Sequence, residues 1–137
     1  MKKILIALLL LQMFACSKKD TAATTVDDDL PPASSTTVAQ GSFINGVHST
    51  SGTATIVDDK GVKKLVLENF KTEAGPDLKV YLSNDLKASL FINLGDLKST
   101  NGNLVYSVNS GTDLNTYKYT LIWCEQYAVL FGSAELK

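Results

Sequence analysis

The most distinctive chemistry in this chain belongs to a lone thiol near its carboxyl end. Cys124 closes the apolar run 119–124, and the sequence contains one other cysteine, Cys16. A partly exposed thiol can be oxidised, form a mixed disulfide or bind a metal, provided that its thiolate is favoured. The chain has no Arg, no Lys adjoins Cys124, and the neighbouring Glu125 opposes the thiolate. Because cysteine is also among the most buried residue types, core packing is the alternative interpretation.

The single histidine of the chain, His48, is the candidate helper of this thiol. It lies in the polar loop 45–49. An imidazole there could act as a base or cation beside the Cys124 thiolate, or ligate a metal or haem iron. A surface histidine without a role is the alternative. A zinc site needs three or four protein ligands, so one His with one Cys predicts no metal site. The Cys124–His48 pair is therefore the one arrangement of catalytic type that the sequence offers.

Asp77 is a weaker candidate, for binding a ligand. It follows Gly75 and Pro76, and this order is typical of a turn in which Gly supplies an unusual φ and Asp bonds backbone amides. A structural role in this turn and a ligand-binding role of the carboxylate are therefore the two alternatives for Asp77. Trp123 adjoins Cys124, so in a regular strand these two side chains point to opposite faces.

Composition and motifs exclude several function classes. The chain has 137 residues, a net charge of −1 and 13 basic residues, all of them Lys. Without Arg or a basic cluster in the folded region, nucleic-acid binding is not expected. The sequence contains no nucleophile elbow, no Gly-rich phosphate loop and no zinc-protease motif, so a hydrolase of those types is not predicted.

The first residues are typical of an export signal. Two lysines precede the apolar run 4–11, which is too short to span a bilayer about 30 Å thick. Ala15 stands before Cys16, and the pattern resembles the lipobox of bacterial lipoproteins, in which the signal is cut before a cysteine that is then acylated. We predict a signal peptide at 1–15 and lipidation of Cys16, which leaves Cys124 without a disulfide partner in its chain.

This interpretation places the protein in the bacterial cell envelope, bound to a membrane through the lipid at Cys16. Residues 16–39 are rich in Thr, Ser, Ala and Asp and include Pro31–Pro32, so they are expected to form a flexible stalk. The acidic run Asp27–Asp29 is expected to be solvated. The folded domain is predicted at 40–137.

That domain reads as all-β. Short alternating apolar runs are separated by turns such as Asp58–Gly61 and Asn101–Asn103, and no sustained helical period occurs. The pattern predicts an antiparallel β-sandwich, or a closed or partly open barrel, of about seven to nine short strands.

Six motifs in order across 40–137 resemble the DM13 domain, a small extracytoplasmic β domain. Their order and spacing carry the resemblance. They are Gly41–Phe43 with His48 and Ser51–Gly52, Asn69–Phe70, Gly75–Ser83, Leu94–Lys98, Ile122–Cys124 and Val129–Ala134.

The resemblance implies electron transfer or another redox role, with Cys124 as the redox residue. Animal members of the family occur beside haem-binding and cytochrome-type domains, and this chain contains neither. A relay would therefore need a second centre from an envelope redox partner, and haem or a metal would act through that partner or through Cys124 and His48. The alternative is a non-catalytic binding or envelope-structural module in which Cys124 packs the core.

Overall fold

The computed structural model describes residues 20–21 and 25–137, so the predicted signal peptide and Cys16 lie outside the described residues. The described residues form strands and turns without a helix, which confirms the all-β prediction. Among them, no helix has the length and apolar character that crossing a membrane requires. The strands are β1 (Asp20–Thr21), β2 (Thr25–Asp27), β3 (Thr36–Asn45), β4 (Thr50–Asp59), β5 (Val62–Thr72), β6 (Gly75–Pro76), β7 (Leu78–Ser83), β8 (Phe91–Asp96), β9 (Asn101–Val108), β10 (Tyr119–Cys124) and β11 (Val129–Glu135).

Nine of these strands form one sheet in the order β2-β9-β5-β4-β3-β11-β10-β7-β8, and β1 pairs separately with β6. All neighbours in the large sheet are antiparallel except β2 and β9, which are parallel. The sheet curls into a half-barrel. The partly open barrel among the predicted architectures is thus the one that forms.

Strand alternation places one set of apolar side chains on the concave face, where they form the core. Successive side chains of a strand point to opposite faces, so every second residue of β4, β5, β7, β9 and β10 lies inside. The fully buried core side chains include Ile56, Leu65, Leu67, Phe70, Val80, Leu104, Ile122 and Cys124. We call the opposite, convex face the outer face.

The tight hairpin between β4 and β5 forms where the sequence predicts it. Lys60 and Gly61 both adopt positive φ, at 55° and 89°. Two consecutive left-handed residues match the twist of the flanking strands, and glycine adopts that conformation without strain. The Asp58 carboxylate accepts a hydrogen bond from the Gly61 amide at 2.6 Å. The turn sets the register of β4 against β5, from Asp59 opposite Val62 to Thr50 opposite Thr72.

The folded domain begins earlier than the predicted boundary at residue 40, which falls inside β3. Residues 25–39, expected to belong to a flexible stalk, contribute β2 and the start of β3. β2 approaches β9 closely because Gly102 has no side chain: a Cβ there would lie 1.9 Å from the Val26 carbonyl oxygen. The segment Asp28–Ser35, which we call the crossover strap, then crosses the outer face to reach β3.

The acidic run, expected to be solvated, attaches this segment to the sheet. Asp27 accepts hydrogen bonds from the backbone and side-chain amides of Asn103. Asp28 accepts one from the Val105 amide at 2.8 Å and one from Lys98 Nζ at 2.7 Å. Composition alone could not show this, because each partner lies more than sixty positions away in the sequence.

The Asp28 attachment predicts acid-sensitive stability. The hydrogen bond from Lys98 holds the pKa of Asp28 below its ordinary value of 3.8, against the opposing effect of burial. The carboxylate therefore stabilises the fold above about pH 3.8, and this contribution is lost as the pH falls through the folded-state pKa. We expect Asp28→Asn to lower the free energy of unfolding by about 1 kcal/mol near neutral pH. Urea unfolding at several pH values measures this.

The exposed neighbour Asp29 provides the matched control. Asp29→Asn removes the same charge without breaking a bond to the sheet, and should change stability by less than about 0.5 kcal/mol. Equal effects of the two substitutions at all pH values would show that general charge, and not the strap contact, is responsible.

Candidate functional site

Cys124 is the last residue of β10, and its side chain is fully buried in the core. Its neighbours across the ladder are Leu78 on β7 and Val129 on β11. Ile122 precedes it on the same inward face, while Trp123 points outward, as alternation predicts. The thiol is free, and its Sγ donates a hydrogen bond to the Pro76 carbonyl oxygen at 3.1 Å. The side chain is therefore both a core component and the partner of a specific backbone oxygen.

Residues 75–77, which we call the covering segment, lie over the thiol. All three are half-buried, and the middle one, Pro76, makes the direct contact with Sγ. Asp77 has a φ of 53°, and its carbonyl accepts a hydrogen bond from the Glu125 amide at 3.1 Å. The turn that the sequence predicts here is thus present and is tied to the residue after Cys124.

The covering segment also pairs with the amino-terminal part of the chain. In the two-stranded sheet, Asp20 lies opposite Pro76 and Thr21 lies opposite Gly75. The predicted lipid attachment at Cys16 is only four residues before β1. The segment that carries the thiol's hydrogen-bond acceptor is therefore paired with the strand that follows the predicted lipidation site.

Phe131 separates His48 from the covering segment. The His48 and Phe131 rings have centroids 3.9 Å apart at an interplanar angle of 33°. On the side of Gly75, a Cβ would lie 2.5 Å from Phe131 Cζ, so only glycine fits against the ring. His48 Nδ1 pairs with the Glu73 carboxylate. The structure therefore brings His48 to the same end of the sheet as Cys124, but joins it to Glu73 and not to the thiol.

The Asp77 side chain belongs to a charged group on the outer face. Its carboxylate is 2.8 Å from Lys79 Nζ, which also pairs with Asp96 and lies 3.9 Å from Glu125. The hydrogen-bonded carboxylates of Asp77 and Asp96 raise the pKa of Lys79 well above its ordinary value. Since Lys79 pairs with the Asp77 carboxylate, the geometry gives Asp77 a turn and ion-pair role.

Next to this charged group, Tyr81 lies between two aromatic rings. Its ring centroid is 4.2 Å from that of Phe91 and 6.3 Å from that of Trp123. The phenol donates a hydrogen bond to Glu125 at 2.8 Å. Burial and then the Glu125 carboxylate raise the pKa of Tyr81 well above its ordinary value, so the phenol stays protonated. Sequence reasoning missed this group, because Tyr81 and Glu125 meet only through the pairing of β7 with β10.

The implied haem or metal does not fit the pair Cys124 and His48. The thiol faces the Pro76 carbonyl in the core, and the imidazole faces Glu73 on the far side of Phe131. Across residues 20–21 and 25–137, no group of three or more His, Cys, Asp or Glu side chains is placed to hold a metal ion.

Sequence comparison connects this arrangement to a family. Residues 42–136 match the family model described as Electron transfer DM13. The match covers well over half of the chain and includes Cys124, His48 and the covering segment. Comparisons with curated proteins and with solved structures found no match. The chain belongs to the electron transfer DM13 family.

Proposed function

We propose that this protein is a lipid-anchored redox accessory of the bacterial cell envelope. Its membrane attachment is the acylated Cys16, and its redox group is the Cys124 thiol. The DM13 family supports an electron-transfer role in general. The observation that carries the assignment to Cys124 is the contact of its Sγ with Pro76, which places the thiol directly beneath a half-buried segment.

Thiol–disulfide exchange is the step that this site can perform without a bound cofactor. The Cys124 thiolate attacks one sulfur of a partner protein's disulfide, a new S–S bond forms, and the partner's second sulfur leaves as a thiolate. The proton lost from Cys124 is taken up by that leaving sulfur or by water. The leaving sulfur of the partner is reduced to a thiolate, and Cys124 is oxidised as it enters a mixed disulfide with the partner's other sulfur.

Such a reaction requires the covering segment to move, because the thiol has no exposed surface. The segment is short and half-buried, and its remaining partner strand, β1, is only two residues long. Local opening of a short edge element costs far less free energy than global unfolding. The pairing of β1 with β6 then makes access to Cys124 depend on the position of the amino-terminal segment.

The complete burial of Cys124 favours a second candidate function. Its side chain belongs to the core cluster together with Ile122, Leu78 and Val80. In this alternative the protein is a non-catalytic binding or envelope-structural module, and the thiol fills space. The two candidates differ in whether the thiol reacts in the folded protein.

The first prediction concerns native thiol reactivity. In the full chain, Cys124 should react with a small alkylating reagent faster than global unfolding allows, because only the covering segment must open. Deletion of residues 17–24 removes β1 and should increase the rate about tenfold, equivalent to about 1.4 kcal/mol of lost pairing. Mass spectrometry of quenched time points measures labelling, and urea unfolding measures global stability.

Labelling of both proteins only at the rate of global unfolding would contradict native access to the thiol. An unchanged alkylation rate in the deletion variant would show that β1 does not limit access to Cys124. It would not contradict the reactivity of the thiol in the folded protein. The Cys16 side chain must be acylated or replaced by Ser so that the single label reports Cys124.

The second prediction separates redox chemistry from packing. Cys124→Val keeps a small apolar side chain and should change stability by less than about 1.5 kcal/mol. If the thiol acts, this folded variant should lose the mixed disulfide with an envelope partner, seen as a higher-mass band on a non-reducing gel that disappears on reduction. Cys124→Ser, which keeps a donor toward Pro76, should also lose the band.

A Cys124→Val strain with the same phenotype and the same disulfide-linked species as the parent would support the structural module. Export and folding of both variants are checked by fractionation and circular dichroism, so that a missing band is not caused by a missing protein.

The third prediction concerns the anchor. Radiolabelled fatty acid should be incorporated into the full chain and not into Cys16→Ser, because the thioether requires the Cys16 sulfur. Cys124→Ser is the matched control, since it removes the other cysteine and should be labelled normally. Labelling that persists in Cys16→Ser would refute lipidation at this position.

A further inference from the structure

A cavity of about 220 Å³ lies between the crossover strap and the outer face of the sheet. The strap contributes Pro31, Pro32 and Ser35 to its lining, and β4 and β5 contribute Thr55, Val66 and Glu68. This cavity is on the face opposite the core and uses none of the residues around Cys124. It needs an explanation of its own.

The strap is anchored to the sheet at both ends, through β2 and through β3. β2 and β3 are four strand positions apart in the sheet, or about 19 Å. The chain between Asp27 and Thr36 could span at most about 30 Å, so it has limited slack. The pair Pro31–Pro32 stiffens it further, and the Asp28 contacts hold its beginning.

Two hydroxyl groups at this cavity lack hydrogen-bond partners in the described structure. Thr55 is only 6% exposed, and its Oγ1 is buried without a partner. Ser35 Oγ, from the strap, is also buried without a partner. Buried polar groups are almost always paired, because leaving one unpaired is costly. Two such groups lining one cavity from opposite sides indicate that a polar molecule completes their bonding.

The lining defines the chemistry of that molecule. Gln40 and Glu68 add an amide and a carboxylate, while Pro31, Val57 and Val66 supply apolar walls. None of the residues lining the cavity is Lys or His, so an anion would meet Glu68 without a compensating charge. The volume corresponds to about seven water molecules, and it lies below the range of drug-sized pockets.

We infer that this cavity binds a small uncharged polyhydroxylated molecule of monosaccharide size. Its hydroxyls bond Thr55, Ser35 and Glu68, and its apolar ring face packs on the prolines and valines. The strap precedes residue 42, where the DM13 match begins, whereas the lining residues of β4 and β5 lie inside that match. The site is independent of any redox role of Cys124.

The test uses the full chain in a detergent without a sugar headgroup. D-Glucose, D-galactose, D-mannose and L-rhamnose are titrated separately to millimolar concentrations, and backbone amide chemical shifts are followed by NMR. At least one sugar should give saturable shifts at Ser35, Thr55 and Val66. Thr55→Val should weaken its binding about tenfold, as expected for the loss of one buried hydrogen bond.

Thr120→Val is the matched control. Thr120 is fully buried with an unpartnered Oγ1, but it lies on β10 and does not line the cavity. This variant should bind the sugar as the parent does. If Thr55→Val does not fold, Ser35→Ala on the strap carries the same test. Absence of saturable shifts with all four sugars, or equal weakening by Thr55→Val and Thr120→Val, would overturn the proposal and leave water as the occupant.

Discussion

The continuous pairing of nine strands into one curled sheet is the constraint on which the rest of the structure depends. Because the sheet bends around a single core, each strand must alternate its side chains between the concave and outer faces. In β10 this sends Cys124 inward and Trp123 outward from adjacent positions. The same rule separates two chemical environments by one residue: a buried thiol, and an aromatic and charged group on the outer face.

Around the thiol, the important contacts are made by backbone and by small residues. Cys124 bonds the Pro76 carbonyl, and Gly75 leaves room for Phe131, against which His48 packs. The family is described as electron transfer, and in this member the thiol is fully buried beneath the covering segment. The covering segment in turn pairs with β1, in the amino-terminal part of the chain.

The amino-terminal segment also covers part of the outer face of the sheet. Through β2 and the crossover strap it covers Thr55, Val57 and Val66, which would otherwise be exposed. The attachment rests on carboxylates that composition alone suggests are solvated, since Asp27 and Asp28 bond groups on β9 and Lys98. A segment that looks like a linker thus becomes part of the domain, and together with β4 and β5 it lines a cavity on the outer face.

Local sequence patterns are enough to predict the all-β class, the Asp58–Gly61 hairpin, the turn at Asp77 and the opposite faces of Trp123 and Cys124. Each follows from alternation or turn chemistry within a few residues. Three features follow from long-range packing instead. Cys124 is buried, His48 contacts Phe131 and Glu73 and not the thiol, and Lys79 forms an ion pair with Asp77. The path of the strap across the sheet also follows from such packing. These features depend on contacts between segments distant in sequence, which one sequence's local patterns do not encode.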